Sequence, residues 1–434
     1  MSRRKVLGSV LSSSIGNMLE WYEYTLYAYF ATVISKLFFP LDDQLVAMSI
    51  TFSTFAIGLA ARPLGGVLFG YIADRYSRKN TMSATMLLMS IPTMCIGLLP
   101  TYEQIGIAAP MILIVLRIMQ GIALGGEFGS SCVYLYESVP QHKRGFFGTL
   151  SLTGVGSGLI LSSCTVFIIE SFLTQEDVYS YGWRIPFFIS VIGSMVALYM
   201  RKNLLETQDF EDMKKRDELV SMPFFEMFKR YKIKLLQLFG IFLTTQVSFF
   251  VVFIYGKTMM MDSIGFDSNT AGKFVLFTVI SYTITTLVFG YLSDKINKRY
   301  IILGGLVGIF ISAVPFIAAL QSGDSTQILL ICLLLGMFIG MTEGTLNPLV
   351  AESFPTNIRA TCVSFCWNFT AVAFGGGAPI IAMWLIENAG GVDVISYYLM
   401  SVCSVSILSV IIGLLYSKKN RVFLVNRDIK PQRV

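Results

Sequence analysis

The sequence predicts an all-α, polytopic membrane protein with twelve transmembrane helices in two six-helix pseudo-repeats. Three observations predict it. Of the 434 residues, 54% are hydrophobic and only 14% are charged, against about 25% charged in soluble domains. Twelve apolar runs follow one another, each near or above the roughly 20 residues that a helix needs to cross a bilayer. Polar motifs recur at half the chain length. This composition excludes a soluble enzyme, a secreted disulfide scaffold and a disordered chain, and it leaves no room for a sizeable extramembrane domain.

The first run, 8–38, follows Arg3, Arg4 and Lys5. It is too long for a signal peptide, lacks a clear cleavage site and precedes many further spans, so it reads as an uncleaved first helix. Runs at 47–73, 80–100, 106–137, 145–171 and 184–202 complete an N-terminal bundle, 1–202. A polar segment, 203–232, is the expected cytoplasmic linker. Runs at 233–258, 271–293, 300–321, 327–350, 360–387 and 394–416 make a C-terminal bundle, 233–416, followed by a cytoplasmic tail, 417–434.

Charge sets the orientation. With both termini in the cytoplasm, the inner connections hold most of the 33 Lys and Arg residues, among them Arg75, Arg78, Lys79, Lys143, Arg144, Arg201, Lys202, Lys295, Lys298, Arg299 and Arg359. The outer loops are short and acidic, with Asp42, Asp43, Glu103, Glu176, Asp177, Asp324 and Asp393. That is the positive-inside pattern, and a wrong span count would scramble it. The net charge of +6 therefore reports topology and not nucleic-acid binding.

The halves repeat. Gly70-Tyr-Ile-Ala-Asp74-Arg75-Tyr-Ser-Arg78-Lys79 is echoed in the second half by Gly290-Tyr-Leu-Ser-Asp294-Lys295-Ile-Asn-Lys298-Arg299. Glu137-Ser138-Val-Pro140 before Arg144 is echoed, at nearly the same offset, by Glu352-Ser353-Phe-Pro355 before Arg359. Parallel six-helix halves around a central site are a transporter architecture.

Other chemistries find little support. The seven cysteines lie in apolar runs, and the single histidine, His142, lies in a basic loop. Buried cysteine behaves as a small apolar residue, so no metal site and no catalytic triad is expected. No Gly-x4-Gly-Lys-Ser/Thr loop is present, so energy must come from an ion gradient.

The Gly70–Lys79 turn resembles the signature loop of the major facilitator superfamily, with Ser77 where that family usually has glycine. Arg117-Ile-Met-Gln120-Gly121 is similar to a second superfamily motif. Four stretches resemble the metabolite:proton symporter branch: Gly16-Asn17-Met-Leu-Glu20-Trp21-Tyr22-Glu23-Tyr24, Ala61-Arg62-Pro63-Leu64-Gly65-Gly66, Gly125-Gly126-Glu127-Phe128-Gly129 and Gly182-Trp183-Arg184-Ile185-Pro186-Phe187. Phe374-Gly375-Gly376 before Pro379 is a further likeness. Within the branch the chain looks most like the proline/betaine transporters. It departs from them at Glu23, usually Asp, and only Ser417–Val434 follow the last run where some have a long coiled coil. The resemblance implies the major facilitator fold, a bacterial inner (plasma) membrane and a proton-coupled carrier with no cofactor beyond the proton.

An ionisable residue at the bilayer centre costs about 2.5–3.5 kcal/mol and so calls for a function. Glu20 and Glu23, close together in the first run, are expected to share a proton, with pairing to an arginine that fixes helix packing as the alternative; Glu127 is expected either on the same proton path or in a structural ion pair. Arg117 suits a substrate carboxylate because its fork binds two oxygens, and it suits equally the neutralisation of Glu20 or Glu23 between transport steps; Tyr24, Tyr27, Asn347 and Asn368 are the other candidate substrate contacts. Arg62, beside Pro63, reads as a structural partner, and Glu343 as the clear intramembrane acid of the second half. Trp21, Tyr22, Tyr24 and Tyr27 together offer an aromatic wall for a quaternary ammonium. Gly154, Gly156 and Gly158 offer a close helix contact. Gly70, Asp74, Arg75, Arg78, Asp294 and Arg299 are the expected inner gate, a role the resemblance implies.

The sequence thus predicts a symporter embedded in a lipid bilayer and not an enzyme. It would import a small polar solute, a compatible solute such as proline or glycine betaine, or alternatively an organic acid such as 2-oxoglutarate, citrate or shikimate. A channel is the remote alternative. No nucleic-acid partner is expected, and no oligomeric state is assigned.

Overall fold

The computed structural model describes residues 3–202, 204–262 and 264–425, which form helices and turns and no strand. Positions 426–434 of the expected tail, with Arg427, Lys430 and Arg433, lie outside the described residues. Twelve long helices follow in order: α1 (Arg3–Tyr29), α2 (Gln44–Arg75), α3 (Arg78–Leu98), α4 (Ala108–Glu137), α5 (Arg144–Phe172), α6 (Ile185–Lys202), α7 (Pro223–Asp262), α8 (Ser268–Leu292), α9 (Lys298–Ser322), α10 (Ser325–Ser353), α11 (Arg359–Asn388) and α12 (Val394–Val425). Eleven helices among the described residues are long and apolar enough to cross a membrane. The remaining one, α1, falls short because Ser12, Ser13, Asn17, Glu20 and Glu23 dilute its apolar surface, yet all five are buried inside the protein.

Caps and breaks fix the helix ends. Ser77, extended at φ −173°, accepts from the Asn80 N–H and caps α3. Its backbone needs no glycine, and the hydroxyl satisfies a helix-start donor, which accounts for the departure from the family loop. Asp267, Asn297 and Asp324 cap α8, α9 and α10 in the same way. The segment expected as a linker holds a short helix, Gln208–Lys215, and the first turns of α7, which kinks at Tyr231. α12 runs on to Val425, past the end of its apolar run at 416.

Two helices relax into π geometry, α7 at Phe250–Tyr255 and α11 at Ala371–Gly376, the kind of local widening that tends to mark functional positions. α1 breaks at Phe30 and resumes as Ala31–Phe38. Phe250 follows Phe30 at the same interval that separates Gly70 from Gly290, so the two irregularities obey the repeat.

Within each set of six, α2 packs along α4, α1 along α5, α8 along α10 and α9 along α10. Across the two sets, α5 meets α8 and α10, and α11 meets α2 and α4. Gly70 makes one crossing possible: a Cβ there would stand 2.7 Å from the Thr361 Cα. Gly290 faces Thr149 in the equivalent position. On α5, Gly154 and Gly158 seat α1, whereas Gly156 faces Thr283 of α8. Not every cysteine is buried as expected: Cys164 is exposed and Cys95 half-buried.

Candidate functional site

The polar side chains of the first six helices gather into connected groups. Glu23 of α1 is 1% exposed and accepts hydrogen bonds from Thr93 Oγ1 (2.8 Å), Ser190 Oγ (2.5 Å) and Ser194 Oγ (2.8 Å). Thr93 in turn accepts from Gln120 Nε2 at 2.8 Å, and Gln120 Oε1 accepts from Arg117 Nη1 at 2.7 Å. A relay across α4, α3, α1 and α6 therefore joins Arg117 to Glu23. Glu23 has hydroxyl partners and no cation among the described residues.

Arg117 is fully buried, with its guanidinium 4.4 Å from the Tyr27 ring, 4.9 Å from Tyr24 and 5.2 Å from Phe55. Its Nε and Nη2 have no hydrogen-bond partner, nor does the Tyr24 hydroxyl, whereas the Tyr27 hydroxyl donates to Thr51 O at 3.1 Å. The expected aromatic wall is thus divided. Tyr24 and Tyr27 enclose Arg117, Tyr22 donates to Pro186 O on α6, and Trp21 packs on Phe249 of α7.

Glu20 and Glu23 occupy separate environments. Both Glu20 carboxylate oxygens are buried without a partner, among the charges of Glu127, Arg62, Arg201 and Glu23. Arg62 lies over the Trp21 ring at 5.4 Å and donates through Nε to Asn368 Oδ1 at 3.0 Å, and the Asn368 amide donates to Gly125 O and Ser364 O, both at 2.7 Å. Asn347 donates to Ser151 Oγ at 3.3 Å. Both asparagines thus bridge the two sets of helices. Glu127 is in an ion pair with Arg201, and Thr85 donates to it at 2.5 Å. Arg201, one of the basic residues expected on the cytoplasmic side, lies fully buried at the end of α6, bonded also to Met82 O, and it fits there because position 16 is glycine: a Cβ would stand 1.9 Å from Arg201 Nη2.

A second group closes the end of the molecule where the basic turns lie. Asp74 accepts from Ala360 N (3.0 Å) and Thr361 N (2.8 Å) and pairs with Arg78. Asp294 accepts from Gly145 N (2.6 Å) and Phe146 N (3.0 Å). Each aspartate thereby caps the first turn of a helix in the other half, α11 and α5, where the helix dipole favours an anion. Glu137 joins Arg78 (3.3 Å) to Arg359 (2.6 Å), and Arg78 also donates to Thr356 O at 2.7 Å. Arg75 lies at 6.0 Å over Tyr71. Arg299 does not join the cluster: its Nε is without a partner, and Lys298 supplies the ion pair with Glu352 at 2.7 Å.

Sequence reasoning missed Thr93, Gln120, Ser190, Ser194 and Arg201. Gln120 was visible within its motif, and its position one turn after Arg117 was the available signal.

A chain with these buried charges and this helix count is a multi-pass membrane transporter. The model of the Major Facilitator Superfamily matches residues 13–378. The "Proline/betaine transporter" of Escherichia coli (strain K12) is 30% identical over 414 residues, covering 93% of this chain and 83% of that one. The "Glycine betaine/proline/ectoine/pipecolic acid transporter OusA" of Dickeya dadantii (strain 3937) is 30% identical over 410 residues, covering 92% and 82%. Among solved structures, the proton:xylose symporter XylE bound to 6-bromo-6-deoxy-D-glucose aligns with TM-score 0.77 at 16% identity, over 95% of each chain. The chain belongs to the major facilitator superfamily.

Proposed function

We propose that the protein is a proton-coupled symporter of a bacterial inner membrane that imports a small polar solute, with proline or glycine betaine as the first candidates. The names of the two transporters above support the solute class. The relay from Arg117 through Gln120 and Thr93 to Glu23 is the observation that carries the mechanism.

Hydroxyls both donate and accept. Thr93, Ser190 and Ser194 can therefore serve Glu23 as a carboxylate and, by turning one hydroxyl, as an acid. Arg117 offers two partnerless nitrogens, Nε and Nη2, to a substrate carboxylate, and engaging them rearranges the Gln120 amide that leads to Glu23. Glu20 and Glu127 extend the proton path, with Arg201 as counter-charge. Tyr24 and Tyr27 shape the substrate pocket around Arg117, and Asn347 and Asn368 complete it between the halves. Residues 1–202 and 233–416 move as two bundles about the 203–232 linker, with both termini and the 417–434 tail in the cytoplasm. Gly70, Asp74, Arg78 and Asp294 form the cytoplasmic gate, with Arg75 stacked on Tyr71 and Arg299 at its edge, outside the hydrogen-bonded cluster. The proton is the coupling ion and no other cofactor takes part.

A dicarboxylate is the second reading, favoured by Arg62, whose Nη2 is also partnerless. Proteoliposomes under an acid-outside gradient, given labelled proline, glycine betaine, 2-oxoglutarate and citrate in parallel, test both. Accumulation of a zwitterion is the expected result. Glu23→Gln should abolish gradient-driven uptake and retain solute exchange; equal loss of both would assign Glu23 a structural role.

A further inference from the structure

We propose that Glu343, with the rings of Tyr282, Phe249 and Phe253, forms a subsite for an organic ammonium group, the positive end of a zwitterionic substrate. The inference rests on the solute-carrier reading above and names the half of the protein that reads that end.

Glu343 of α10 is 1% exposed and is the one fully buried acid of α7–α12 among the described residues. Its neighbour is a neutral phenol, the Tyr282 hydroxyl of α8, which donates to Glu343 Oε2 at 2.6 Å. Of the other buried glutamates, Glu127 and Glu137 each hold an arginine, whereas in the first half Glu23 is met by hydroxyls and Glu20 has no hydrogen-bond partner. Glu343 has no Lys or Arg partner among the described residues, so the positive charge that balances it is a proton or a cationic ligand.

The surroundings favour the ligand. The Tyr282 ring stands 5.2 Å from Phe253 and 6.3 Å from Phe249, and the latter two rings are 5.2 Å apart, edge to face. Burial among apolar rings also suits a protonated carboxyl; what only a ligand gains there is contact with the ring faces, which hold a methylated or secondary ammonium together with a nearby carboxylate. Phe250–Tyr255, which includes Phe253, is the π segment of α7, so the rings sit where the helix backbone is already locally rearranged. The competing aromatic cluster, Tyr24, Tyr27 and Phe55, is filled by the guanidinium of Arg117 and offers an ammonium no such place.

The row of rings continues toward the first half. Phe249 packs at 6.1 Å on Trp21, and Trp21 lies under Arg62. The first half thus presents guanidinium groups with free N–H donors, and the second half an acid without a cation. A solute carrying both charges engages both halves, and a simple anion engages only one.

Tetramethylammonium chloride, an onium without a carboxylate, is the direct probe. Binding to the purified full-length transporter in detergent is read by tryptophan fluorescence, since Trp21 lies in the same row. Glycine betaine KM is read in proteoliposomes by counterflow at equal pH, which needs no proton gradient. Tetramethylammonium should bind the wild type and compete with betaine. Glu343→Gln should abolish that binding and raise the counterflow KM by about tenfold or more, and Phe253→Leu should raise it in the same direction. Unchanged tetramethylammonium binding in Glu343→Gln overturns the proposal. So does loss of gradient-driven uptake alone with an unaltered counterflow KM, which marks Glu343 as a proton carrier. Where Glu343→Gln aggregates, Phe253→Leu decides, and an unchanged tetramethylammonium affinity overturns the subsite. If the wild type transports neither betaine nor proline yet loses tetramethylammonium binding on Glu343→Gln, the subsite stands and the solute assignment falls.

Discussion

At the scale of single residues, the buried charges divide into those neutralised within the protein and those left open. Glu127 with Arg201 is the neutralised kind. Removing one partner of such a pair strands the other and costs about 3–5 kcal/mol, whereas replacing both with apolar groups is often neutral. Arg201→Met should therefore lower the thermal unfolding midpoint in detergent sharply, and Arg201→Met with Glu127→Leu should recover most of it. Glu23 is the open kind, and its link to Arg117 runs through one hydroxyl. Thr93→Val keeps the shape and removes that hydroxyl, so gradient-driven uptake should fall at least tenfold, the equivalent of ~1.4 kcal/mol, with exchange less affected. The charged members of these groups were legible in the sequence because charge is rare in apolar runs. Their partners were not. Thr93, Ser190 and Ser194 are indistinguishable from the other hydroxyls of the spans, and Arg201 stands beside Lys202 at the end of a run, where snorkelling basic residues are ordinary. The contact that buries it comes from Gly16 of α1, at the far end of the same bundle's sequence.

Among the helices, the repeated turns were the most legible feature, because Asp74 and Asp294 stand at matching places in near-identical motifs. What those aspartates bind was not legible: each reaches the start of a helix far along the chain, and register between distant helices leaves no trace in spacing. Loss of a helix-start cap costs about 0.5–2 kcal/mol. Asp74→Ala should therefore loosen the basic-turn end, and a cysteine at Thr361, in a background lacking the seven native cysteines, should react faster with a membrane-impermeant maleimide than in the Asp74 protein. The π segments of α7 and α11 were also hidden. Neither carries an internal proline, and one extra residue in a turn leaves an apolar run looking like any other. The same blindness explains α1, whose polar residues made it the least apolar span although its break at Phe30 stands at the repeat position of Phe250, where the π segment of α7 begins.

For the whole molecule, composition and charge alternation were enough to fix the fold class, because a bilayer admits few architectures. The contacts between the halves at the basic end give a direct test of movement. Gly145 lies against Ser293, with a Cβ at 145 only 2.2 Å from the Ser293 hydroxyl oxygen. Cysteines at both positions should form a disulfide on mild oxidation and stop uptake, with reductant restoring it; undiminished uptake by the crosslinked protein would mean that this end does not part during transport. The two aspartate caps have a further consequence. Asp74 grips residues 360–361 while Asp294 grips residues 145–146, so patch A of one half meets patch B of the other, and B meets A. That is the pattern of an isologous interface, the kind two identical subunits make about a twofold axis. The single chain is thus held together as a fused dimer would be, and two fragments severed between Glu218 and Met222 and co-expressed should find each other and purify as one particle.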